Sequence, residues 1–186
     1  VMTADPREFP EAGVLPLISY EEAVEISCSG GKILHPRAIG PVKDAGIPVR
    51  VKHTFYPERP GTLISGESVH SEGGVKAVSM KRGLSMVSVS GTGMPDRTGF
   101  LECVAGAARK AQVSIVSISQ PGSQLEISLV VAKDDEDRLV DGLEQALLEE
   151  IADGAVAPVK RHGAVALVAA IGDGMCDAFG VSGRVF

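Results

Sequence analysis

LSMVSVSGTGMPDRTGFLECV, residues 84–104, decides the fold, because the chain nearly says it again at 165–185 as VALVAAIGDGMCDAFGVSGRV. The two stretches align without a gap at a shift of 81 residues, which is how a repeated structural unit shows itself. Both contain an apolar strand, then G-x-G-M-x-D-x-x-G, then the opening of a helix. Gly91, Gly93, Met94, Asp96 and Gly99 match Gly172, Gly174, Met175, Asp177 and Gly180. Working outward from the first copy, apolar positions Phe100, Val104, Ala107, Ala108 and Ala111 follow helical spacing. Strands are expected at 113–119 and 125–131; in the latter Leu125, Ile127, Leu129 and Val131 alternate with Glu126, Ser128 and Val130, so that one face is buried. A long helix follows, with Asp134, Asp135, Glu136 and Asp137 at its positive end as a solvated start. A short strand near 156–159 completes β-α-β-β-α-β, the ferredoxin-like arrangement, and a second copy begins beyond it.

A strand is expected at 75–80, just upstream of the repeat, and another at 84–90, where its first copy opens. Residues 1–18 read as loop, punctuated by Pro6, Pro10, Gly13 and Pro16. Ser19-Tyr20-Glu21-Glu22 has capping-box spacing, in which the Ser19 hydroxyl and the Glu22 carboxylate satisfy each other's backbone donors. Ala23, Val24, Ser27 and Cys28 can share the inner face of the helix it starts, and Gly30-Gly31 ends it. A second helix is expected from Pro36 to Gly46, and a strand over the β-branched run 47–51. SGESVHSEGG at 65–74 has linker composition.

The chain's 186 residues are 44% hydrophobic and 23% charged, an ordinary globular composition with one or two domains. With 18 Lys+Arg against 24 Asp+Glu the net charge is -6, without the basic footprint of a nucleic-acid binder or of a protein drawn to anionic membranes. The apolar run 164–171 is far shorter than the roughly 20 residues of a membrane span. Partners are therefore expected among small molecules and proteins, with no nucleic acid and no membrane. Cys28, Cys103 and Cys176 are odd in number and widely spaced, which builds neither a disulfide framework nor a metal motif. They read as small buried hydrophobes of a cytoplasmic protein. Val1 and a helical pattern running to Phe186 predict a chain cut from a longer one.

Several motifs resemble chemistry without supporting it. In a dinucleotide-binding G-x-G-x-x-G the third glycine would fall on Asp96 or Asp177, placing a carboxylate where pyrophosphate must approach. What survives is a turn that brings a ligand close to backbone N–H groups, better suited to a small zwitterion than to a phosphate. Gly31-Lys32 lacks both the Ser/Thr and the first glycine of a P-loop, where Ile33 and Ile26 stand. Ser29-x-x-Lys32 has no accompanying S-D-N or K-T-G. His35, His53, His70 and His162 have no metal-ligand spacing, so no metal site is expected.

VMTADPR (1–7), SYEEAVEISCSGGKILHPRAI (19–39) and IPVRV with GTLIS (47–65) resemble, in this order, the end of the kinase domain of aspartate kinases, an α/β domain of the amino-acid-kinase type. VSVSGTGM, VSIVSISQPGS and VALVAAIGDGM resemble the paired ferredoxin-like βαββαβ ACT regulatory domains that follow it. LLEEIADGAVAPV between them is similar to the type fused to homoserine dehydrogenase. The resemblance implies an α/β (α+β) chain in which 1–66 end the kinase domain, 67–74 form a linker, 75–160 a first ACT domain and 161–186 the truncated start of a second. It implies ATP-dependent phosphorylation of L-aspartate to 4-phospho-L-aspartate, with Mg2+ accompanying the nucleotide, in lysine, threonine and methionine biosynthesis. NADP enters only if a dehydrogenase follows. Arg7 and Lys32 are the positions carried over as nucleotide-binding, their cationic heads suited to phosphate. Met2 stands where many relatives have Tyr.

Gln120, Met94 and Gly99 carry over as effector-binding. Lysine-sensing relatives have an Asp where Val116 stands, so threonine is the expected inhibitor, although Gly122-Ser123-Gln124 replaces the usual SSE. Homo-oligomerisation through ACT domains is also implied. The phosphate loop and the aspartate-binding residues would precede Val1, so no catalytic residue is expected within these 186 and the chain alone should not turn over ATP. The other readings are a free-standing ACT sensor, against which residues 1–51 weigh, and another amino-acid kinase such as one acting on glutamate, which the repeated ACT openings disfavour.

Overall fold

The computed structural model describes residues 1–67, 74–95, 97–175 and 177–185. They divide into two compact units, Val1–Lys81 with Leu167–Phe186, and Arg82–Ala166. The expected linker lies mostly at 68–73, outside the described residues, as do Asp96, Cys176 and Phe186.

The first unit holds a three-stranded sheet in the order β1-β3-β2, from β1 (Leu17–Ser19), β2 (Val49–Val51) and β3 (Thr62–Ser65). β1 runs parallel to β3 with Ile18 opposite Ile64; β2 is antiparallel with Arg50 opposite Leu63. Ser19 ends β1 and caps α1 (Tyr20–Cys28) with the complete capping box: Glu22 N–H donates to Ser19 Oγ at 3.1 Å and Ser19 N–H to Glu22 Oε2 at 3.0 Å. At the other end Gly30 takes a positive φ and Gly31 N–H donates back to Ile26 O at 2.8 Å, satisfying a terminal carbonyl. α2 (Pro36–Asp44) starts with proline in its first turn. Ile18, Ala23, Ile26, Ile39 and Ile64 form the core together with Ala77 and Ile171, which arrive from distant parts of the chain.

Two expectations are corrected here. Residues 1–18 are not all loop, since Leu17–Ser19 pair as a strand and Met2 bridges Val14. Cys28 is exposed, because helical rotation turns Tyr20, Glu22, Ala23 and Ile26 inward instead.

The second unit is built on a four-stranded sheet in the order β5-β6-β4-β7. β4 (Ala77–Ser90) is one strand running through Gly83, where two were expected. α3 (Phe100–Lys110), β5 (Ile115–Ser119), β6 (Glu126–Ala132), α4 (Glu136–Ala146), α5 (Leu148–Ala152) and β7 (Lys160–Ile171) follow, and α6 (Val181–Val185) lies in the first unit. β4 and β5 are both antiparallel to β6, with Val87 opposite Leu129 and Ile118 opposite Leu129 from the other side. The β-α-β-β-α-β succession is that of the ferredoxin-like fold, and the chain is of the mixed α/β class expected. Ile127, Leu129 and Val131 are fully buried against Val104, Ala107, Leu139 and Leu143 of α3 and α4. Burial of this kind contributes roughly 1.5–3 kcal/mol per large aliphatic side chain.

Three further differences have local causes. The long helix is interrupted at Leu147, whose fully buried side chain takes a non-helical backbone. Glu136 is buried instead of solvated, because Ser85 and Lys133 donate hydrogen bonds to its carboxylate. Residues 156–159 are not a strand, although Ala157 N–H donates to Ser90 O at 2.7 Å; the fourth strand is β7.

The repeat read from sequence extends further than its matching letters. Ala157 N–H donates to Ser90 O, and Lys76 N–H to Ile171 O at 2.8 Å, each residue 81 positions from its counterpart. A Cβ on Gly91 would lie 2.2 Å from Ala155 O; one on Gly172 would lie 2.1 Å from Gly74 O. Glycine is required at both places because a backbone carbonyl occupies the space a side chain would need.

Candidate functional site

In the second unit, Met94, Gly99 and Gln120 are brought together. They line one pocket of about 480 Å³, a size within the usual range for small-molecule sites. Each comes from a different feature. Met94 closes the first glycine-rich turn, its N–H donating to Gly91 O at 3.4 Å, and its side chain is buried in the core. Gly99 immediately precedes α3 with φ of +80°, and a Cβ there would meet nothing nearer than Glu102 Oε2 at 3.8 Å, so the approach to the helix is open. Gln120 is exposed just beyond β5, where its amide can both donate and accept, as recognition of an amino acid requires.

Sequence reasoning missed Arg97, Phe100 and Gln124 on the same pocket. Among the described residues Arg97 supplies its one charged side chain, and that guanidinium pairs with Glu150 in the middle of α5. An arginine in a surface turn has no sequence signature that separates a pocket wall from a solvated face.

In the first unit, Arg7 and Lys32 are both exposed. Arg7 is engaged by Asp5, donating from Nε at 3.0 Å and from a terminal nitrogen at 2.6 Å in a two-pronged pair. That hydrogen bond pushes the guanidinium further above its ordinary value. Lys32 follows the Gly30-Gly31 end of α1 and has no ion-pair partner among the described residues. Thr3 and Ala4 of the same loop as Arg7 border a separate, mainly apolar pocket of about 360 Å³ with Phe9 and Val78. The two cations are therefore carried on different segments, one held by a neighbouring carboxylate and one open to an anion.

These residues fit a phosphate-bearing ligand by charge. Among the described residues no group of three or more His, Cys, Asp or Glu is placed to hold a metal ion. No helix among them is long and apolar enough to cross a membrane.

Residues 1–53 match the amino acid kinase family and residues 87–147 match the ACT domain, so the class is that of an amino-acid-kinase segment joined to an ACT domain. Over all 186 residues the chain is 34% identical to the bifunctional aspartokinase/homoserine dehydrogenase of Haemophilus influenzae, of which it spans 23%. The crystal structure of Clostridium acetobutylicum aspartate kinase matches the whole chain with a TM-score of 0.86 at 28% identity, over 42% of that structure. Escherichia coli aspartokinase III, in complex with aspartate and ADP, matches it with a TM-score of 0.76 at 28% identity, over 41% of that structure. The chain belongs to the aspartate kinase family.

Proposed function

We propose that this chain serves the ATP-dependent phosphorylation of L-aspartate and its feedback inhibition by threonine. The observation that carries the regulatory half is the single pocket that gathers Gln120, Met94 and Gly99 from a turn, a helix start and a strand end. The kinase half is supported by the aspartate and ADP held by the E. coli neighbour and by the exposed Lys32 beyond α1. In this reading Arg7 and Lys32 face nucleotide phosphates, Mg2+ travels with the nucleotide, and the enzyme is cytoplasmic and assembles through its ACT domains. Residues 1–66 serve the kinase, 75–160 the first ACT domain, and 161–186 open the second. The bifunctional relative supports a homoserine dehydrogenase, with its NADP, in the same polypeptide.

Val116 offers no carboxylate to a lysine ammonium, whereas the Gln120 amide suits a neutral amino acid. Titrating the chain calorimetrically with L-threonine and L-lysine tests the effector. Threonine binding that Gln120→Ala weakens supports the reading; lysine binding with indifference to threonine overturns it. Aspartate-dependent ADP release by an enzyme carrying this chain between a complete kinase domain and its partner domain tests the activity. Turnover indifferent to aspartate would refute it.

A further inference from the structure

The two glycine-rich turns are built alike and filled differently. In each, the methionine N–H returns to the first glycine, Met94 to Gly91 at 3.4 Å and Met175 to Gly172 at 3.2 Å. In each, a neighbouring segment donates to the strand end just before the turn, through Ala157 in one and Lys76 in the other. The residue between the glycines separates them. Thr92 N–H has no partner among the described residues, while Asp173 N–H donates to Glu22 Oε1 at 2.9 Å.

Glu22 is 2% exposed, and its second carboxylate oxygen accepts from Ser19 N–H at 3.0 Å and Lys76 Nζ at 2.9 Å. The Lys76 side chain is itself 6% exposed, and Ala157 stands at the equivalent position of the first turn. A buried cation and an inward N–H thus converge on a carboxylate at the second turn only. A buried carboxylate is tolerated when its lone pairs are met by a cation and by hydrogen-bond donors, as they are here.

We propose that Glu22 is an internal ligand of the second turn: its carboxylate occupies the place that an amino-acid carboxylate takes at the first, closing the second turn to free amino acids and pinning it to α1. The comparison rests on reading the first turn as an effector site, but the contacts of Glu22 do not depend on that reading. Glu22 acts through Ser19, Lys76 and Asp173. It is a positioning residue, and through α1 it links the second turn to the helix that leads to Lys32.

Acetate is the probe. Glu22→Ala leaves three donors around a carboxylate-sized space, so acetate should raise the melting temperature of that variant in a saturable way, beyond chloride at equal ionic strength. Wild type and Glu22→Gln, whose amide fills the space, should show no such rise. In 15N spectra the Asp173 amide resonance should move in Glu22→Gln, and threonine added to wild type should leave it in place while moving Thr92 or Gly93. A folded Glu22→Ala that ignores acetate overturns the proposal. So does an Asp173 amide that is unmoved in Glu22→Gln, which decides the matter even if the alanine variant fails to fold, and so does one that threonine moves in wild type. If threonine moves no resonance anywhere, the effector reading fails while the acetate and glutamine results still decide the role of Glu22.

Discussion

Ser85 donates its hydroxyl to the Glu136 carboxylate at 2.9 Å, fastening the middle of β4 to the first turn of α4. The carboxylate is buried, and Lys133 Nζ at 2.5 Å and Arg161 at 3.9 Å are the cations that face it. Lys133 first, then Ser85, hold the Glu136 carboxyl below its ordinary value. A group depressed in the folded state takes up its proton more readily once unfolded, so its stabilising effect is full above the unfolded value of about 4.3 and is lost as pH falls through the folded value.

Glu136→Gln should therefore be less stable than wild type near pH 7, with the difference shrinking below about pH 4.3 as the native carboxylate is protonated. Urea midpoints measured from pH 7 to pH 3 on both proteins check this. A difference constant with pH would show that the carboxylate charge contributes nothing.

Gly91→Ala forces a Cβ within 2.2 Å of Ala155 O and 2.7 Å of Val156 Cα, both backbone atoms that cannot step aside alone. A loss on the order of 1–3 kcal/mol is expected. Gly106→Ala is the control, because that glycine sits inside α3 with nothing within 4 Å of its Cβ position; it should gain about 0.5–1 kcal/mol from helix propensity. Equilibrium denaturation of the pair gives both signs in one experiment.

Gln120→Ala should weaken threonine binding by roughly 0.5–1.5 kcal/mol, a few-fold to about tenfold in Kd. Because Gln120 is exposed, the melting temperature of the unliganded chain should hardly change. Calorimetric titration beside a thermal melt separates the two effects.

Lys32→Ala should lower kcat or raise the KM for ATP by at least about tenfold in the enzyme that carries this chain, equivalent to ~1.4 kcal/mol. Its exposure predicts an unchanged melting temperature. Unaltered kinetics would remove Lys32 from the nucleotide site.

The parts of this fold that were legible in the sequence are those whose information is local or repeated. The Ser19–Glu22 box is four residues long and formed as read. The helical spacing of Phe100, Val104, Ala107 and Ala108 placed α3, and all four are buried. β1 and β3, at three and four residues, are too short to display alternation and are defined instead by pairing with each other.

Glu136 could not be told from its acidic neighbours, because Ser85 lies 51 residues away. The wider part played by Glu22 was hidden for the same reason: Lys76 and Asp173 are 54 and 151 residues distant, and no local pattern announces them. At the pocket, Met94 and Gly99 stand in the repeat, but their role, like that of Gln120, came from family likeness. Arg97 needed the fold, which sets the turn beside the end of β5.

The first unit's interrupted path along the chain bears on how the protein is made. Its core takes Ile171 from beyond the whole of residues 82–166, and Glu22 meets its last donor only at Asp173. A chain emerging from the ribosome in order can close the second unit's core, Val87 to Val159, while the first still lacks those residues. Until residue 173 has been added, the buried lysine and glutamate are together without the backbone N–H that completes them. Translational pausing in the stretch before residue 167 would hold the nascent protein in a half-assembled form, with an apolar gap where Ile171 belongs.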